Sequence, residues 1–285
     1  MWKAAGLMFV AMSFVPAGDT AGKLLTAGHG ASPFFVAWSR FVLGAALIAA
    51  LAPRGTLRLF LDWRIWLRGL LLAGGVSSIL TALRTEPVAD VFAAFFVGPL
   101  FSYALSALLG REPVTPLRTA LMGLGFLGVL LVVRPGFGAG PGMGFALLAG
   151  LFYGAYLSSS RWLAPLAPSR ALLVTQLVVG ALILTPVGLP AMPEITAPVA
   201  ALTLASAMAS MLGNLLLLTA YARAPATHLA PFVHFQLLAA VVLGWAVFGD
   251  LPDAPTWAGL ALIVGAGVAS ARLAAAPLPP RPDRA

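Results

Sequence analysis

The chain partly repeats itself at an offset of 138 residues. Gly6, Ala11, Phe14 and Ala17 recur as Gly144, Ala149, Phe152 and Ala155, and Lys23 recurs as the basic Arg161. Further on, Leu80-Thr81-Ala82 recurs as Leu218-Thr219-Ala220, Pro87 as Pro225, and Glu112 as Asp250. Single matches are cheap in a Gly- and Ala-rich chain. One offset that joins four regions, two of them through charge-preserving pairs, constrains the fold far more. If each unit crosses a membrane an odd number of times, the two halves must be inserted upside down relative to each other, an arrangement used by carriers.

Whether the units do cross a membrane is decided by composition. Of 285 residues, 60% are hydrophobic and 9% charged, with a mean hydropathy of +0.97. A soluble domain carries roughly 25% charged residues, so these charges cannot cover a water-facing surface. The chain reads as an all-α polytopic membrane protein. It has no cysteine, which removes disulfides, thiolate metal sites and cysteine nucleophiles. The net charge of +8 would suggest nucleic acid in a soluble protein. Here the basic residues fall between apolar segments as topology signals, and no nucleic-acid partner is expected.

Ten segments reach the length a bilayer requires, about 20 apolar residues. They lie near 4–25, 33–52, 65–84, 87–109, 115–133, 142–163, 170–189, 199–222, 226–249 and 255–273. Turn signals such as Gly28-His29-Gly30, Pro53-Arg54-Gly55, Glu86-Pro87 and Arg134-Pro135-Gly136 separate them. Orientation follows from the basic residues. With a cytoplasmic N-terminus, the inside segments hold thirteen: Lys3, Arg54, Arg58, Arg64, Arg68, Arg111, Arg118, Arg161, Arg170, Arg223, Arg272, Arg281 and Arg284. The outside segments hold three, Lys23, Arg84 and Arg134, and Arg40 lies within the second span. Both termini are therefore expected to be cytoplasmic.

Five spans per half is an odd number, so the expected fold is ten transmembrane helices in two inverted five-helix repeats around a central cavity. The first repeat should occupy 1–135 and the second 143–273. A Gly-rich linker, 136–142, joins them. It lacks a Gly-x-Gly-x-x-Gly spacing and a following lysine, so it is no phosphate loop. The tail 274–285, with four prolines, reads as a disordered cytoplasmic end.

Certain residues sharpen this pattern. Arg40 stands in the second span within Trp38-Ser39-Arg40-Phe41, and Pro99 midway along the fourth. Glu112 closes the fourth span before a fifth rich in glycine (Gly123, Gly125, Gly128). Asp250 is followed likewise by Gly259, Gly265 and Gly267. On these features the chain resembles the EamA-type branch of the drug/metabolite transporter superfamily, and within it the YddG-type amino-acid exporters. It departs from the family pattern in carrying Asp250 where a Glu is frequent, and Leu237 where the repeat would place a second Pro99. The resemblance implies a carrier that moves small metabolites through a cavity lined by the first, third, fourth, sixth, eighth and ninth helices.

In hydrocarbon every polar group needs a partner, so polar and kinking residues inside spans mark candidate sites. Pro16, with Asp19 and Lys23 at i, i+4, is either a gating hinge or a static kink flanked by an interfacial ion pair. Arg40 should pair with a carbonyl or with Asp19, the alternative being direct ligand contact. In the sixth helix Tyr153 and Tyr156 share a face. Gly150 and Gly154 form an adjoining surface on which another backbone can pack closely. Ser77, Ser78, Phe95, Pro99, Tyr103, Tyr153, Tyr156, Asn214 and Gln236 are the expected cavity residues, with Pro16, Asp19, Lys23 and Gly154 at gates and hinges. Asn214 is equally readable as interhelical glue. Arg40, Glu112 and Asp250 are read as structural charges, and Gln236 shares a face with His228 and Phe232.

A cavity of aromatics, hydroxyls and amides without a deep acidic pair suits a small zwitterionic or weakly polar molecule. Amino acids, hydrophobic and aromatic ones included, are the expected cargo, and export from a bacterial inner membrane is the expected task. Drugs, other small metabolites and a channel-like facilitator stay as alternatives. No enzyme motif, metal site or cofactor site is present, and a monomer in the lipid bilayer is the expectation.

Overall fold

The computed structural model describes residues 2–48, 52–109, 116–134, 140–163, 165–221 and 234–275. These form eleven α-helices: α1 (Trp2–Lys23), α2 (Pro33–Ile48), α3 (Trp63–Leu83), α4 (Val88–Phe95), α5 (Val97–Leu109), α6 (Pro116–Val133), α7 (Met143–Leu163), α8 (Ser169–Gly188), α9 (Ala197–Tyr221), α10 (Phe235–Phe248) and α11 (Ala254–Ala275). No strand occurs among the described residues. Three helices among them, Trp63–Leu83, Arg170–Gly188 and Ala197–Leu217, are long and apolar enough to cross a membrane on their own; the other apolar helices are shorter.

The fourth expected span is two helices. Phe96 interrupts it, its N–H reaching the carbonyls of Ala93 and Ala94, and α5 restarts at Val97. Pro99 is the reason: mid-helix, its ring would collide with the carbonyl four residues back, whereas in a first turn its missing N–H is one no helix bond needs. Pro16, by contrast, sits inside an uninterrupted α1. Past Lys23 that helix widens into a π-turn, Leu24–Gly28. At the chain's end α11 runs to Ala275, two residues into the segment expected to be disordered; 276–285 and linker residues 135–139 lie outside the described residues.

Helix packing follows the 138-residue interval. The main partnerships are α1 with α9, α3 with α7, α6 with α11, α5 with α7 and α2 with α8. Exchanging α1 with α7, α2 with α8 and α3 with α9 turns the α1–α9 contact into the α7–α3 contact. The same exchange turns α2–α9 into α8–α3 and leaves α2–α8 unchanged. Phe96 and its 138-residue counterpart His234 touch, with ring centroids 5.3 Å apart.

The largest buried cluster centres on Leu80, Leu83, Val88, Phe92 and Leu237, where α3, α4 and α10 meet. Outside it runs a belt of exposed apolar side chains, among them Phe9, Leu70, Phe126, Leu182, Leu204, Val242 and Trp245. So many exposed apolar side chains are a liability in water and the ordinary condition of a helix bundle in hydrocarbon.

Candidate functional site

A cavity of about 190 Å³ opens between the halves. Its walls come from α1 (Met12, Val15, Asp19), α3 (Leu72, Gly75, Val76, Ile79), α4 (Phe92, Phe95), α7 (Tyr153), α9 (Ser210, Met211, Asn214) and α10 (Gln236). Two further helices join them: α2 through Arg40, Phe41 and Gly44, and α8 through Leu173, Gln176 and Leu177. The resemblance had implied neither.

Of the cavity residues expected from sequence, Phe95, Tyr153, Asn214 and Gln236 line it. Phe95 and Tyr153 lie 4.9 Å apart between ring centroids, and Tyr153 stacks on Tyr156 at 6.0 Å. Tyr156 stands behind this wall, its hydroxyl donating to Gln176 Oε1 at 2.8 Å and accepting from Arg68 Nη2 at 2.8 Å. Ser77 and Ser78 are buried in α3 without lining the cavity. Ser77 Oγ has no hydrogen-bond partner among the described residues. Pro99 lies in the first turn of α5, away from the cavity. Tyr103 is on α5, but its side chain, like Glu112, His228 and Phe232, lies outside the described residues.

Asp19 and Lys23 do not pair with each other. Asp19 turns inward to Arg40, Oδ1 to Nη1 at 2.5 Å. Arg40 Nη2 donates to the Gly18 carbonyl at 2.7 Å and Nε to Ser206 Oγ at 2.9 Å, and Ser206 donates to the same carbonyl. The buried guanidinium thus meets one carboxylate and two oxygens of its own protein, the saturation a charge in a bundle interior requires. A second junction has the same plan. Arg68, counted from sequence among the inside topology charges, is buried in α3 and donates to the Leu172 carbonyl and to Tyr156. Its guanidinium also lies 4.7 Å from the Tyr156 ring. Gly18 and Tyr156 are separated by 138 residues, as are Arg68 and Ser206. The two junctions therefore occupy equivalent helix triads, α1–α2–α9 and α7–α8–α3, but one draws its arginine from α2 and the other from α3.

Lys23 reaches instead across the end of the bundle to Asp250 Oδ2 at 3.3 Å and to the Glu86 carbonyl at 2.9 Å, over the Phe248 ring. The Glu86 carboxylate accepts from the Gly142 N–H at 2.8 Å, so this end is tied between α1, the α3–α4 turn, the start of α7 and the α10–α11 loop. Beside it Arg134, which follows the last residue of α6 at φ 47°, bonds both oxygens of Asp253. The Arg134 and Thr256 donors hold the Asp253 carboxyl down at about 2. Gly154 packs against the Gly98 carbonyl and Gly150 against that of Phe95, bringing α7 onto the broken helix at backbone contact.

Sequence reasoning missed Gln176, Arg68, Ser206 and Ser210. Gln176 is a glutamine in an apolar span, the signal that had marked Asn214. Arg68 was hidden by its nearness to the charged loop before α3.

The EamA-like transporter family profile matches the chain twice, over residues 2–134 and again over 140–270. The chain belongs to the EamA-like transporter family. Members of this family are multi-pass membrane transporters of the drug/metabolite superfamily. Among curated relatives, the riboflavin transporter of Rhizobium johnstonii is 29% identical over 221 residues, 74% of this chain and 71% of that protein. The riboflavin transporter of Vibrio cholerae is 30% identical over 213 residues, 71% and 68% of the two chains. The S-adenosylmethionine uptake transporter of Rickettsia bellii is 25% identical over 260 residues, 88% and 87%. One crystal structure shares the fold with a TM-score of 0.66 at 21% identity, covering 96% of this chain and 98% of its own. This EamA-family chain is thus a small-molecule transporter by family and by relatives.

Proposed function

We propose that this EamA-family protein carries small, net-neutral metabolites bearing a planar aromatic group, aromatic amino acids among them, out of a bacterial cell by alternating access. The observation that carries the reading is the cavity itself. It is walled by helices of both halves, with the Phe95–Tyr153 face on one side and the amides of Gln176, Asn214 and Gln236 around it. Rings stack there, and amides satisfy polar groups without a net charge. Arg40 and Asp19 neutralise each other in the same wall, so a strongly charged cargo has no opposite charge to meet.

In this reading the chain spans the inner membrane ten times, α4 and α5 together making one span. Residues 1–135 and 143–273 are inverted halves, 136–142 the linker and both termini cytoplasmic. The exchange relation in helix packing and the thirteen-to-three distribution of basic residues support it. The Lys23 end is then the outer one, with Lys23, Asp250, Asp19 and Pro16 on the gate side and Gly154 at the packed hinge. A monomer holds the complete cavity.

A second reading is favoured by the relatives' names: the cargo is a heteroaromatic metabolite such as riboflavin or S-adenosylmethionine, moved inward. Counterflow in proteoliposomes separates the readings. With labelled tryptophan, trans tryptophan should accelerate entry several-fold. Trans stimulation by riboflavin or S-adenosylmethionine alone would replace amino acids by the second reading. A flux indifferent to trans substrate would make the protein a pore.

A further inference from the structure

Among the described residues that line the cavity, Asp19 is the one acid and Arg40 the one base. On α1, Met12, Val15 and Asp19 follow one another at spacings of three and four, the stripe of that helix which faces the cavity. The Asp19–Arg40 pair is one-sided. The guanidinium spreads its donors over three acceptors, with Nη1 on Asp19 Oδ1, Nη2 on the Gly18 carbonyl and Nε on Ser206 Oγ. The forked grip that would occupy both carboxylate oxygens is not made. Asp19 Oδ2 therefore accepts no hydrogen bond from a described residue. Nor is it sealed inside the protein, for the sealed side-chain atoms without a partner are Thr20 Oγ1, Ser77 Oγ and Thr203 Oγ1. Asp19 is 4% exposed and lines the cavity, so its unmet oxygen opens there.

We propose that Asp19 Oδ2 is the subsite for the amine of the cargo, taking an N–H of the ammonium group of a zwitterionic amino acid. An ionised carboxylate only accepts, so the group it meets must donate. The ion pair is neutral as a whole and gives a net cation no net attraction. Its free oxygen is nevertheless a charge-assisted acceptor aimed at one atom of a net-neutral molecule. The inference deepens the carrier reading and rests on it for the cavity's role. Asp19 then serves twice: Oδ1 holds Arg40 beside α1, and Oδ2 selects cargo that carries a donor.

The probes are tryptophan and N,N,N-trimethyltryptophan, which keeps the ring, both charges and the net neutrality but has no ammonium N–H. Binding is measured by calorimetry on the purified full chain in detergent. Wild type should bind tryptophan about tenfold more tightly, the effect of losing one hydrogen bond to a charged acceptor. Asp19→Asn alone leaves Arg40 unpaired and endangers the fold, so the variant to use is Asp19→Leu with Arg40→Met, which leaves no buried charge behind. In it the two probes should bind within about twofold of each other. Arg40 only donates, so its removal cannot by itself erase a preference for an N–H donor. Equal affinity for the probes in wild type, binding of neither, or a preference that survives in the double variant overturns the proposal. The last outcome would mean that the extra methyl groups are rejected by bulk elsewhere in the cavity. The wild-type comparison stands without any variant. Tryptophan counterflow reports separately. Intact counterflow without the N–H preference sinks the amine subsite alone, while the preference without counterflow supports the subsite and sinks the carriage.

Discussion

A guanidinium at the depth of Arg40 costs about 2.5–3.5 kcal/mol to insert if it has no partner. Its partners are Asp19, the Gly18 carbonyl and Ser206, from two other helices, so it staples α1, α2 and α9 together. Asp19→Asn should leave a buried uncompensated charge and cost about 3–5 kcal/mol, read as a fall in thermal unfolding temperature of the detergent-solubilised protein. Replacing both partners, Asp19→Leu with Arg40→Met, should cost less than the single change, because no charge stays behind. Simple additivity of the two substitutions would show that the pair is not coupled. At this scale the sequence was informative about half the junction. A charge in an apolar span demands a partner, and Asp19 stood within reach. Ser206 was invisible because it is one of several small hydroxyls that only tertiary packing distinguishes.

For helices, the informative unit is the broken pair α4–α5. Pro99 announced a disturbance, but its place in the sequence does not say whether the helix bends around it or stops and restarts. The restart is where α7 packs: Gly150 and Gly154 bring their backbone against the carbonyls of Phe95 and Gly98, at the interruption itself. A Cβ at Gly98 would lie 2.6 Å from the Gly150 carbonyl, which is backbone and cannot swing aside. Gly98→Ala should therefore push α5 from α7 and lower stability by about 1–3 kcal/mol. Gly123→Ala in α6, where a Cβ meets nothing within 4 Å, is the matched control. It should be neutral or gain up to about 1 kcal/mol from helix propensity. Indistinguishable unfolding temperatures for the two variants would show that α5 and α7 do not depend on backbone contact at Gly98. The end of α3 and the start of α11 were legible, because Glu86-Pro87 and Pro252 with Pro255 bound them. The π-turn after Lys23 and the burial of Arg68 were not, since neither leaves a pattern in a single helix.

In the whole molecule, the two arginine junctions occupy equivalent triads, and under the proposed inversion one lies in the outer half of the cavity wall and the other in the inner half. They are not copies: Arg40 is neutralised by a carboxylate, whereas Arg68 bonds a carbonyl and a phenol that also orients a cavity amide. Both junctions adjoin the cavity, Arg40 and Asp19 directly and Arg68 through Tyr156 and Gln176. At one end of the bundle Lys23 and Asp250 join the first half of the chain to the second. If alternating access requires this end to part, tethering it must stop exchange without emptying the cavity. The chain has no cysteine, so Lys23→Cys with Asp250→Cys places the only two thiols in the protein on opposite sides of the seam. Bridged by a bifunctional methanethiosulfonate in proteoliposomes, the double variant should lose counterflow down to the level of empty vesicles and recover it on reduction. Binding of the transported molecule, measured on the bridged protein in detergent, should persist. Each single-cysteine variant treated with the same reagent should still exchange. Undiminished counterflow in the bridged protein would mean that the halves do not separate at Lys23 and Asp250, and the gate would have to be sought at the other end of the cavity.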